Sequence, residues 1–322
     1  MMKNQTVLIL DFGGQYKDLI ARRVRECGVY SEICAGNIPA EEVRQRAPIG
    51  VIFTGGPNSV YEPDSPKCDP RIFELGIPVL GICYGAQLMC YLAGGTVQPC
   101  TTSEYGQREV RLDPTCPLFD GLDLVQTVLM SHTDQVDMLP DGFRTAGTSE
   151  SCPNAAMFNP ERKLYGVQFH PEVELTVNGT QMVRNFLYRV CGAAGDYSME
   201  DYLNKQIAAI QAQVGNEQVL LGLSGGVDSA VCAALLERAL PDRLICIFVD
   251  HGLMRENEGD EIEAAFAGKA LRFVRVNAAE RFLEKLTGVT DPERKRKLIG
   301  AEFVAVFAEQ ARQFGEVKFL AQ

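Results

Sequence analysis

The run V-L-G-I-C-Y-G-A-Q at residues 79–87 joins a short apolar segment to a helical pattern through two closely spaced glycines. Val79–Ile82 is predicted as a buried strand, and Ala86–Ala93 is predicted as a helix that Gly94 and Gly95 close. A strand that turns directly into a helix in this way is typical of α/β proteins, in which helices connect parallel strands. The same arrangement recurs along the chain, so the sequence predicts an α/β fold.

Other apolar runs that end in turns form two series. The predicted strands are Val7–Leu10, Val51–Thr54, Val79–Ile82 and Leu164–Phe169 in the first series, and Val219–Leu223, Leu244–Val249, Leu271–Val276 and Val317–Leu320 in the second. The predicted helices between them include Tyr16–Cys27, Gln181–Val190, Met199–Val214 and Ala230–Leu240. Small, flexible residues at 191–196 separate the two series and place a domain boundary between 194 and 195. The sequence thus predicts two doubly wound domains with mainly parallel sheets, 1–194 and 195–322, and the second is expected to be incomplete because it shows no closing elements.

Composition excludes several classes of partner and location. The formal charge of −11 argues against wholesale binding to nucleic acid or to an anionic membrane, so an anionic substrate must be met by local groups. Eleven scattered cysteines without a C-x-x-C pair, and only three histidines, argue against a structural zinc site. The apolar run near the N-terminus is too short for a signal peptide, and no apolar stretch approaches the length of a membrane span. The sequence therefore predicts a cytoplasmic protein with reduced thiols.

A candidate nucleophile lies in G-I-C-Y-G at residues 81–85, which has the spacing of a nucleophile elbow. A cysteine at a helix N-terminus gains thiolate character from the backbone dipole, although most of the eleven cysteines must be ordinary buried residues. His170-Pro171-Glu172 follows another predicted strand at the edge where an α/β sheet gathers its site. The sequence therefore predicts a triad in which His170 takes the thiol proton of Cys83 and Glu172 orients the ring.

A third segment, Gly55-Gly56-Pro57, also follows a strand and is either an ordinary turn or part of an oxyanion hole. In the second case the backbone N–H groups of Gly56 and Tyr84 would face the developing charge. Together the three segments resemble the class I glutamine amidotransferase family over about residues 5–192. The resemblance implies that Cys83 attacks the glutamine amide, releases ammonia and leaves a glutamyl thioester that water hydrolyses.

The same resemblance implies where the glutamine substrate is held. The positions that match are Gln87, Ser131, His132 and Asp134. This chain departs from the usual family pattern at Thr133, where glycine is common, and at Gly14, where serine is frequent.

A candidate phosphate loop, S-G-G-V-D-S at residues 224–229, follows a predicted strand and opens a helix. Its glycines let backbone N–H groups converge on an anion, and it lacks the G-K-[ST] ending of a Walker A loop. The alternative is a generic turn between a strand and a helix. The full string resembles the pyrophosphate loop of N-type ATP pyrophosphatases, which implies ATP as co-substrate and Mg²⁺ as cofactor. The implied roles are phosphate binding by Ser224, Gly225, Gly226, Val227 and Ser229, Mg²⁺ ligation by Asp228, and an adenine position at Val249.

Two further stretches, F-V-D-H-G-L-M-R at 248–255 and D-P-E-R-K-R-K-L-I-G at 291–300, are similar to segments of glutamine-hydrolysing GMP synthases. No role is assigned to His251, which stands where asparagine is common in that family. The basic run is either a solvated helix face or a phosphate contact, and the resemblance implies that Arg296 reaches the nucleotide substrate.

The resemblance as a whole implies that ammonia from glutamine is delivered to adenylylated xanthosine monophosphate (XMP), giving GMP, AMP and pyrophosphate. It also implies a homodimer formed through a C-terminal region beyond these residues, so this chain alone is expected to hydrolyse glutamine without making GMP. Two alternatives stay open: another glutamine-fed ATP pyrophosphatase such as an NAD synthetase, and a sensor that binds nucleotide and glutamine without turnover.

Overall fold

The computed structural model describes residues 5–321, and the chain divides between Met199 and Glu200 into two compact units. The boundary predicted from the sequence, at 194/195, lies just before this division, and Tyr197 still belongs to the first unit, where its backbone N–H donates to the carbonyl of Gly28 at 3.1 Å. Each unit contains one sheet with helices, so the predicted α/β fold class is confirmed.

The sheet of the first unit has nine strands in the order β2-β1-β3-β4-β9-β8-β7-β5-β6. The strands are β1 (Thr6–Asp11), β2 (Tyr30–Ala35), β3 (Gly50–Phe53), β4 (Val79–Ile82), β5 (Val97–Leu112), β6 (Val125–Val136), β7 (Arg144–Thr148), β8 (Ala156–Asn159) and β9 (Leu164–Val167). The five strands from β2 to β9 in this order are parallel, whereas β8, β7, β5 and β6 pair in antiparallel fashion. Four of the five parallel strands, namely β1, β3, β4 and β9, match the prediction, whereas β2 and the antiparallel part were not predicted.

Helices cover both faces of the parallel part. They are α1 (Lys17–Glu26), α2 (Ala40–Arg46), α3 (Tyr84–Leu92) and α4 (Gly179–Asn185). Alternate residues of β1 point to opposite faces, so Val7 and Ile9 pack in one hydrophobic cluster while Leu8 and Leu10 pack in another. A strand that is buried on both faces has a continuous apolar run in its sequence. For this reason β1 could be predicted.

Three predicted helices differ from the structure by two residues or more at an end, and one of them, predicted at Ala230–Leu240, spans Val227–Ala239. Helix α3 begins at Tyr84 rather than Ala86, because the strand turns into the helix at Cys83 without a connecting loop. The predicted helix Gln181–Val190 is α4 followed by a π-helical turn at Phe186–Val190.

The second unit has four parallel strands in the order β12-β11-β10-β13. They are β10 (Val219–Leu223), β11 (Leu244–Asp250), β12 (Arg272–Asn277) and β13 (Phe319–Ala321), with helices α5 (Met199–Val214), α6 (Val227–Ala239), α7 (Glu258–Phe266), α8 (Ala279–Leu286) and α9 (Pro292–Ala311). All four strands were predicted, although β13 begins at Phe319 rather than Val317. Among residues 5–321, no helix combines the length and the apolarity needed to cross a bilayer.

Candidate active site

Cys83 occupies a strained turn between β4 and α3. Its φ of 52° and ψ of −110° lie in a region that side chains with a β-carbon rarely adopt. The flanking glycines are required by close packing, because a Cβ on Gly81 would lie 2.6 Å from the backbone of Gly85 and one on Gly85 would lie 2.6 Å from the backbone oxygen of Phe53. The turn therefore has the geometry of a nucleophile elbow and holds Cys83 at the N-terminus of α3.

His170 and Glu172 lie just beyond the C-terminal end of β9, the strand next to β4. His170 Nδ1 is 2.8 Å from Glu172 Oε1, and both side chains are buried. A carboxylate oxygen accepts, so Nδ1 donates and Nε2 is left for Cys83, whose sulfur helps to raise the pKa of the ring. The structure thus brings together the three residues that were predicted as a triad.

The environment of His170 favours its charged form. Burial acts against the charge and lowers the pKa, but the hydrogen bonds to Cys83 and Glu172 and the charges of both groups outweigh it, so the pKa of His170 is raised from 6.5 to about 10. A proton that His170 takes from the Cys83 thiol is therefore held firmly, and the sulfur remains nucleophilic.

Cys83 opens onto a cavity of about 330 Å³. Its walls contain every predicted oxyanion and glutamine position, namely Gly56, Tyr84, Gln87, Ser131, His132 and Asp134, together with the sulfur-bearing residue Cys83. The remaining wall residues are Pro57, Asn58, Ser59, Tyr105 and Thr133. The cavity is large enough for an amino acid side chain with its backbone groups, and one end of it carries the nucleophile.

The oxyanion positions lie on either side of Cys83. Tyr84 is the first residue of α3, so its N–H has no acceptor within the helix. Gly56 approaches this turn closely: a Cβ there would lie 2.8 Å from the carbonyl of Phe12 and 3.1 Å from the ring of Tyr84. The two N–H groups belong to segments that are packed against each other beside the sulfur, as an oxyanion hole requires.

The residues predicted to bind glutamine make different hydrogen bonds in and around the cavity. Gln87 donates from Nε2 to the carbonyl of Asp134 at 2.7 Å and to Oε1 of Gln168 at 3.0 Å. The Asp134 carboxylate accepts hydrogen bonds from Ser59 and Tyr61. The imidazole of His132 is buried behind the wall, so it contributes to the cavity mainly through its backbone.

Several residues of the site were not found by sequence reasoning. Gln168 donates from Nε2 to the sulfur of Cys83 at 3.5 Å, and Arg23 on α1 donates from Nε to the carbonyl of Glu172 at 3.0 Å. Glu104 on β5 lies 3.1 Å from the ring of His132. Of these residues, only Gln168 could have been found from the sequence, because it lies two residues before His170 and its side chain therefore points to the same side of the chain.

The predicted phosphate loop connects β10 to α6. Ser224 and Ser229 close it, since their hydroxyl oxygens are 3.1 Å apart and Ser229 Oγ also donates to the carbonyl of Gly226 at 3.0 Å. Helix α6 begins at Val227, and none of the described side chains caps its N-terminus. The first N–H groups of the helix are therefore available to an anion, as the sequence predicted.

Two residues of this loop, Gly225 and Asp228, are suited to different roles. Gly225 has a φ of +85°, so its backbone conformation favours glycine; a Cβ there would lie 2.7 Å from Ile262 Cδ1, the end of a flexible side chain. Asp228 is exposed in the first turn of α6, beside the free N–H groups. An exposed carboxylate next to a phosphate site is a suitable oxygen ligand for Mg²⁺, which keeps most of its waters and takes one or two protein oxygens.

The other predicted nucleotide contacts lie on β11 and α9. Val249 is buried near the end of β11, one residue beyond Phe248, which pairs with Leu223 at the start of the loop. Arg296 is exposed on α9 and pairs with Glu293 of the same helix. An additional charged group was not predicted: Arg275 joins Asp250 at 2.8 Å to Asp260 at 2.6 Å and lowers the pKa of Asp250.

Comparison with known proteins gives two domain matches. Residues 8–190 match the model of the glutamine amidotransferase class-I family, and residues 199–280 match the PP-loop domain. The chain is 52% identical over 321 residues to the GMP synthase [glutamine-hydrolyzing] of Finegoldia magna and 52% identical over 322 residues to that of Caldanaerobacter subterraneus subsp. tengcongensis. All of this chain aligns with each, and it spans 63% of the length of those curated relatives.

A solved structure supports the same assignment. A Thermoplasma acidophilum protein described as one of the subunits of a GMP synthase is 28% identical to this chain and superposes with a TM-score of 0.52. The match covers 64% of this chain and 99% of that protein. With more than half of its residues matched by the family model, and with Cys83, which lines the cavity, placed beside the His170–Glu172 pair, the chain belongs to the class I glutamine amidotransferase family.

Proposed function

We propose that the first unit hydrolyses glutamine with Cys83, His170 and Glu172. His170 Nε2 takes the proton of the Cys83 thiol, and the sulfur attacks the side-chain amide carbon of glutamine. The N–H groups of Gly56 and Tyr84 stabilise the oxyanion, and His170 returns the proton to the departing nitrogen, which leaves as ammonia. Water then cleaves the thioester with His170 as base, which releases glutamate and restores the thiol.

The observation that carries this proposal is the position of Cys83. It lies in a strained elbow, interacts with a histidine that Glu172 holds at 2.8 Å and whose pKa it helps to raise, and opens onto a cavity of about 330 Å³. A structural cysteine needs none of these features. The sensor alternative provides no reason for a fully assembled triad.

We propose that the second unit uses ATP to activate the acceptor of this ammonia. The free N–H groups at the start of α6 and the hydroxyls of Ser224 and Ser229 would hold the polyphosphate, and Val249 would lie beside the adenine. Asp228 would hold Mg²⁺, which offsets the phosphate charge when bound. The names of the relatives favour GMP as the product, and the resemblance of the chain to their family implies XMP as the acceptor and AMP and pyrophosphate as the other products.

Three finer assignments belong to the same proposal. The eleven cysteines, all within residues 5–321, carry free thiols, which favours a reducing compartment such as the cytoplasm. The net charge of −11 favours small anionic substrates over nucleic acid and membranes. A role for Arg296 at the nucleotide substrate and the formation of a homodimer stay predictions.

Glutamate release from glutamine tests the first step. We expect release by the wild-type chain and none above background by Cys83→Ala, whose thermal midpoint should match the wild type. Equal activity in both proteins would overturn the assignment of Cys83. Product analysis of the protein as the cell makes it, supplied with ATP, Mg²⁺, glutamine and XMP, tests the second step. GMP, AMP and pyrophosphate in equal amounts support it, and turnover with a different acceptor would replace XMP.

A further inference from the structure

A buried carboxylate lies behind the wall of the cavity. Glu104 on β5 is the register partner of His132 on β6, and both residues are almost completely buried. Glu104 Oε2 is 3.1 Å from His132 Nε2, while Oε1 accepts the hydroxyls of Ser149 at 2.8 Å and Ser151 at 2.7 Å. Both carboxylate oxygens therefore have partners, and the side chain is fixed from two strands and one turn.

The hydrogen bonds of His132 lead from this carboxylate to the cavity. His132 Nδ1 is 3.0 Å from the carbonyl of Asp134 and 3.4 Å from Sγ of Cys100. A carbonyl only accepts, so the contact with Asp134 is one in which Nδ1 donates. The same carbonyl accepts Nε2 of Gln87 at 2.7 Å.

The connection continues to the nucleophile. Gln87 donates to Oε1 of Gln168 at 3.0 Å, and Gln168 donates to the sulfur of Cys83 at 3.5 Å. A series of hydrogen bonds thus runs from Glu104 to the reacting sulfur of Cys83 through four residues, namely His132, Asp134, Gln87 and Gln168. Buried networks of this kind hold their members in one arrangement when every member is satisfied.

A metal centre would be the other interpretation of this cluster, because ligand atoms of Glu104, His132 and Cys152 lie within 4.8 Å of one another. Burial raises the pKa of the Cys152 thiol to about 12, so it is a neutral thiol and a poor ligand. Burial also acts on Glu104, but the hydroxyls of Ser151 and Ser149 and the ring of His132 outweigh it and lower the pKa of Glu104. Protein donors already balance this carboxylate, so it needs no ion.

We propose that Glu104 is a positioning residue that sets the affinity of the cavity for glutamine. It acts through His132, whose ring fixes the carbonyl of Asp134 and with it the amide of Gln87 and the wall from Ser131 to Asp134. The proposal rests on the proposed glutaminase function. It assigns Glu104 to substrate binding rather than to the chemical step, because its hydrogen bonds reach the wall of the cavity before they reach the sulfur.

The matched variants Glu104→Ala and Glu104→Gln test this role through KM and kcat for glutamine hydrolysis. Glutamine at 104 can donate its amide to His132 Nε2 and accept both serine hydroxyls, so we expect nearly wild-type KM. Loss of the charged hydrogen bonds in Glu104→Ala should raise KM about tenfold or more while kcat changes little. A purely structural role would lower the thermal midpoint and the active fraction, and hence kcat, at unchanged KM, and that result would overturn the proposal.

Glutamine binding measured by calorimetry in the Cys83→Ala background provides a readout without turnover. Adding Glu104→Ala should weaken glutamine binding by a similar factor, and unchanged affinity would contradict the proposal. If Glu104→Ala does not fold, the double variant Ser149→Ala/Ser151→Ala provides the test instead. It keeps the carboxylate of Glu104 but removes the two hydroxyls that donate to it. That variant should raise KM, and unchanged KM would again overturn the proposal.

A double-mutant comparison separates the network from general damage. In the Glu104→Ala background the two serine substitutions should add no further rise in KM, because their hydroxyls are linked to His132 only through Glu104, although Ser149 also accepts the backbone N–H of Cys152. Additive effects would contradict this order of action. An inactive wild type, or a fully active Cys83→Ala, would instead refute the proposed glutaminase function, whereas normal controls with unchanged KM in all Glu104 variants refute only the role of Glu104.

Discussion

Glu172 holds the ring of His170 through one carboxylate oxygen, with Oε1 2.8 Å from Nδ1. Its other oxygen, Oε2, is buried and has no hydrogen-bond partner among residues 5–321. An ionised oxygen without a donor is costly in a buried site, so the positive ring of His170 is the main compensation for the charge of Glu172. The pair is therefore stable as carboxylate and imidazolium, which is the state that follows transfer of the Cys83 proton.

Replacing Glu172 should reduce glutamine hydrolysis less than replacing His170. Glu172→Gln still accepts from Nδ1 through its carbonyl, but it removes the charge that stabilises the imidazolium. We expect kcat to fall by roughly 10²–10⁴-fold in His170→Ala, the usual effect of losing a general base. Glu172→Gln should lie between this variant and the wild type.

Steady-state kinetics with glutamine would measure these effects. The thermal midpoint of each variant serves as the control for folding. Equal kcat in the wild type and Glu172→Gln would show that the carboxylate contributes only geometry.

The raised pKa of His170 predicts a pH dependence of stability. A group whose pKa is higher in the folded state stabilises the protein below its unfolded pKa, and this contribution is lost as pH rises through the folded pKa. For His170 the window extends from 6.5 to about 10. The thermal midpoint of the first unit should therefore decrease across this window more in the wild type than in Glu172→Gln.

Scanning calorimetry on both proteins at several pH values would check this. Lysines, tyrosines and other thiols also titrate in the upper part of the window, but they are common to both proteins and cancel in the comparison. Parallel curves would mean that Glu172 does not raise the pKa of His170.

The sequence predicted the site residues that lie close together along the chain, and it did not predict those that meet only through the fold. Cys83 and its glycines form one short string, and the elbow could be predicted because its packing is local. Glu104 could not, because it meets His132 only through the register of two antiparallel strands and meets Ser149 and Ser151 only through a later turn. Such contacts leave no spacing pattern in the sequence.

The strands also differed in how well they could be predicted from the sequence. The parallel strands β1, β3, β4 and β9 are buried on both faces and appear as apolar runs. The parallel strand β2 is partly exposed, and β5 is largely exposed and reads S-E-Y-G-Q-R-E-V-R-L near its end. In β5, isolated buried positions such as Val110 and Leu112 do not give a recognisable apolar run. The strand β2 and the four antiparallel strands were missed, while all four strands of the second unit were found.

Asp228→Asn should weaken binding of Mg²⁺-ATP and leave glutamine hydrolysis unchanged. The carboxylate lies beside the phosphate loop in the first turn of α6, and asparagine keeps its size without the charge that favours Mg²⁺. Glu316→Gln is the matched control, since Glu316 is also exposed. It precedes β13, which is parallel to β10, and so lies toward the end of the strands opposite the phosphate loop. Calorimetry with ATP at different Mg²⁺ concentrations would measure both. Equal affinity and metal dependence in the two variants would refute the assignment of Asp228.

Gly225→Ala should lower ATP affinity without unfolding the second unit. Gly225 has a φ of +85°, and alanine there either carries strain or relaxes the loop. The neighbouring Ile262 Cδ1 is the end of a flexible side chain and can move aside, so the backbone term dominates. Relaxation would turn the N–H groups of the loop away from the position of the phosphates, and we expect a loss of about tenfold or more in ATP affinity.

Gly268→Ala is the matched control for this prediction. Gly268 has a φ of +73°, but a Cβ there would have nothing within 4 Å, and the residue lies in the turn after α7 rather than in the phosphate loop. Both substitutions should destabilise the second unit by a similar amount, on the order of 1 kcal/mol, since both place a β-carbon in the left-handed region. Only Gly225→Ala should change ATP binding, because only there does the backbone conformation shape the anion site. If both variants bind ATP with wild-type affinity while losing the same stability, the loop from Ser224 to Ser229 is a structural turn, and the phosphates must be held elsewhere in the unit.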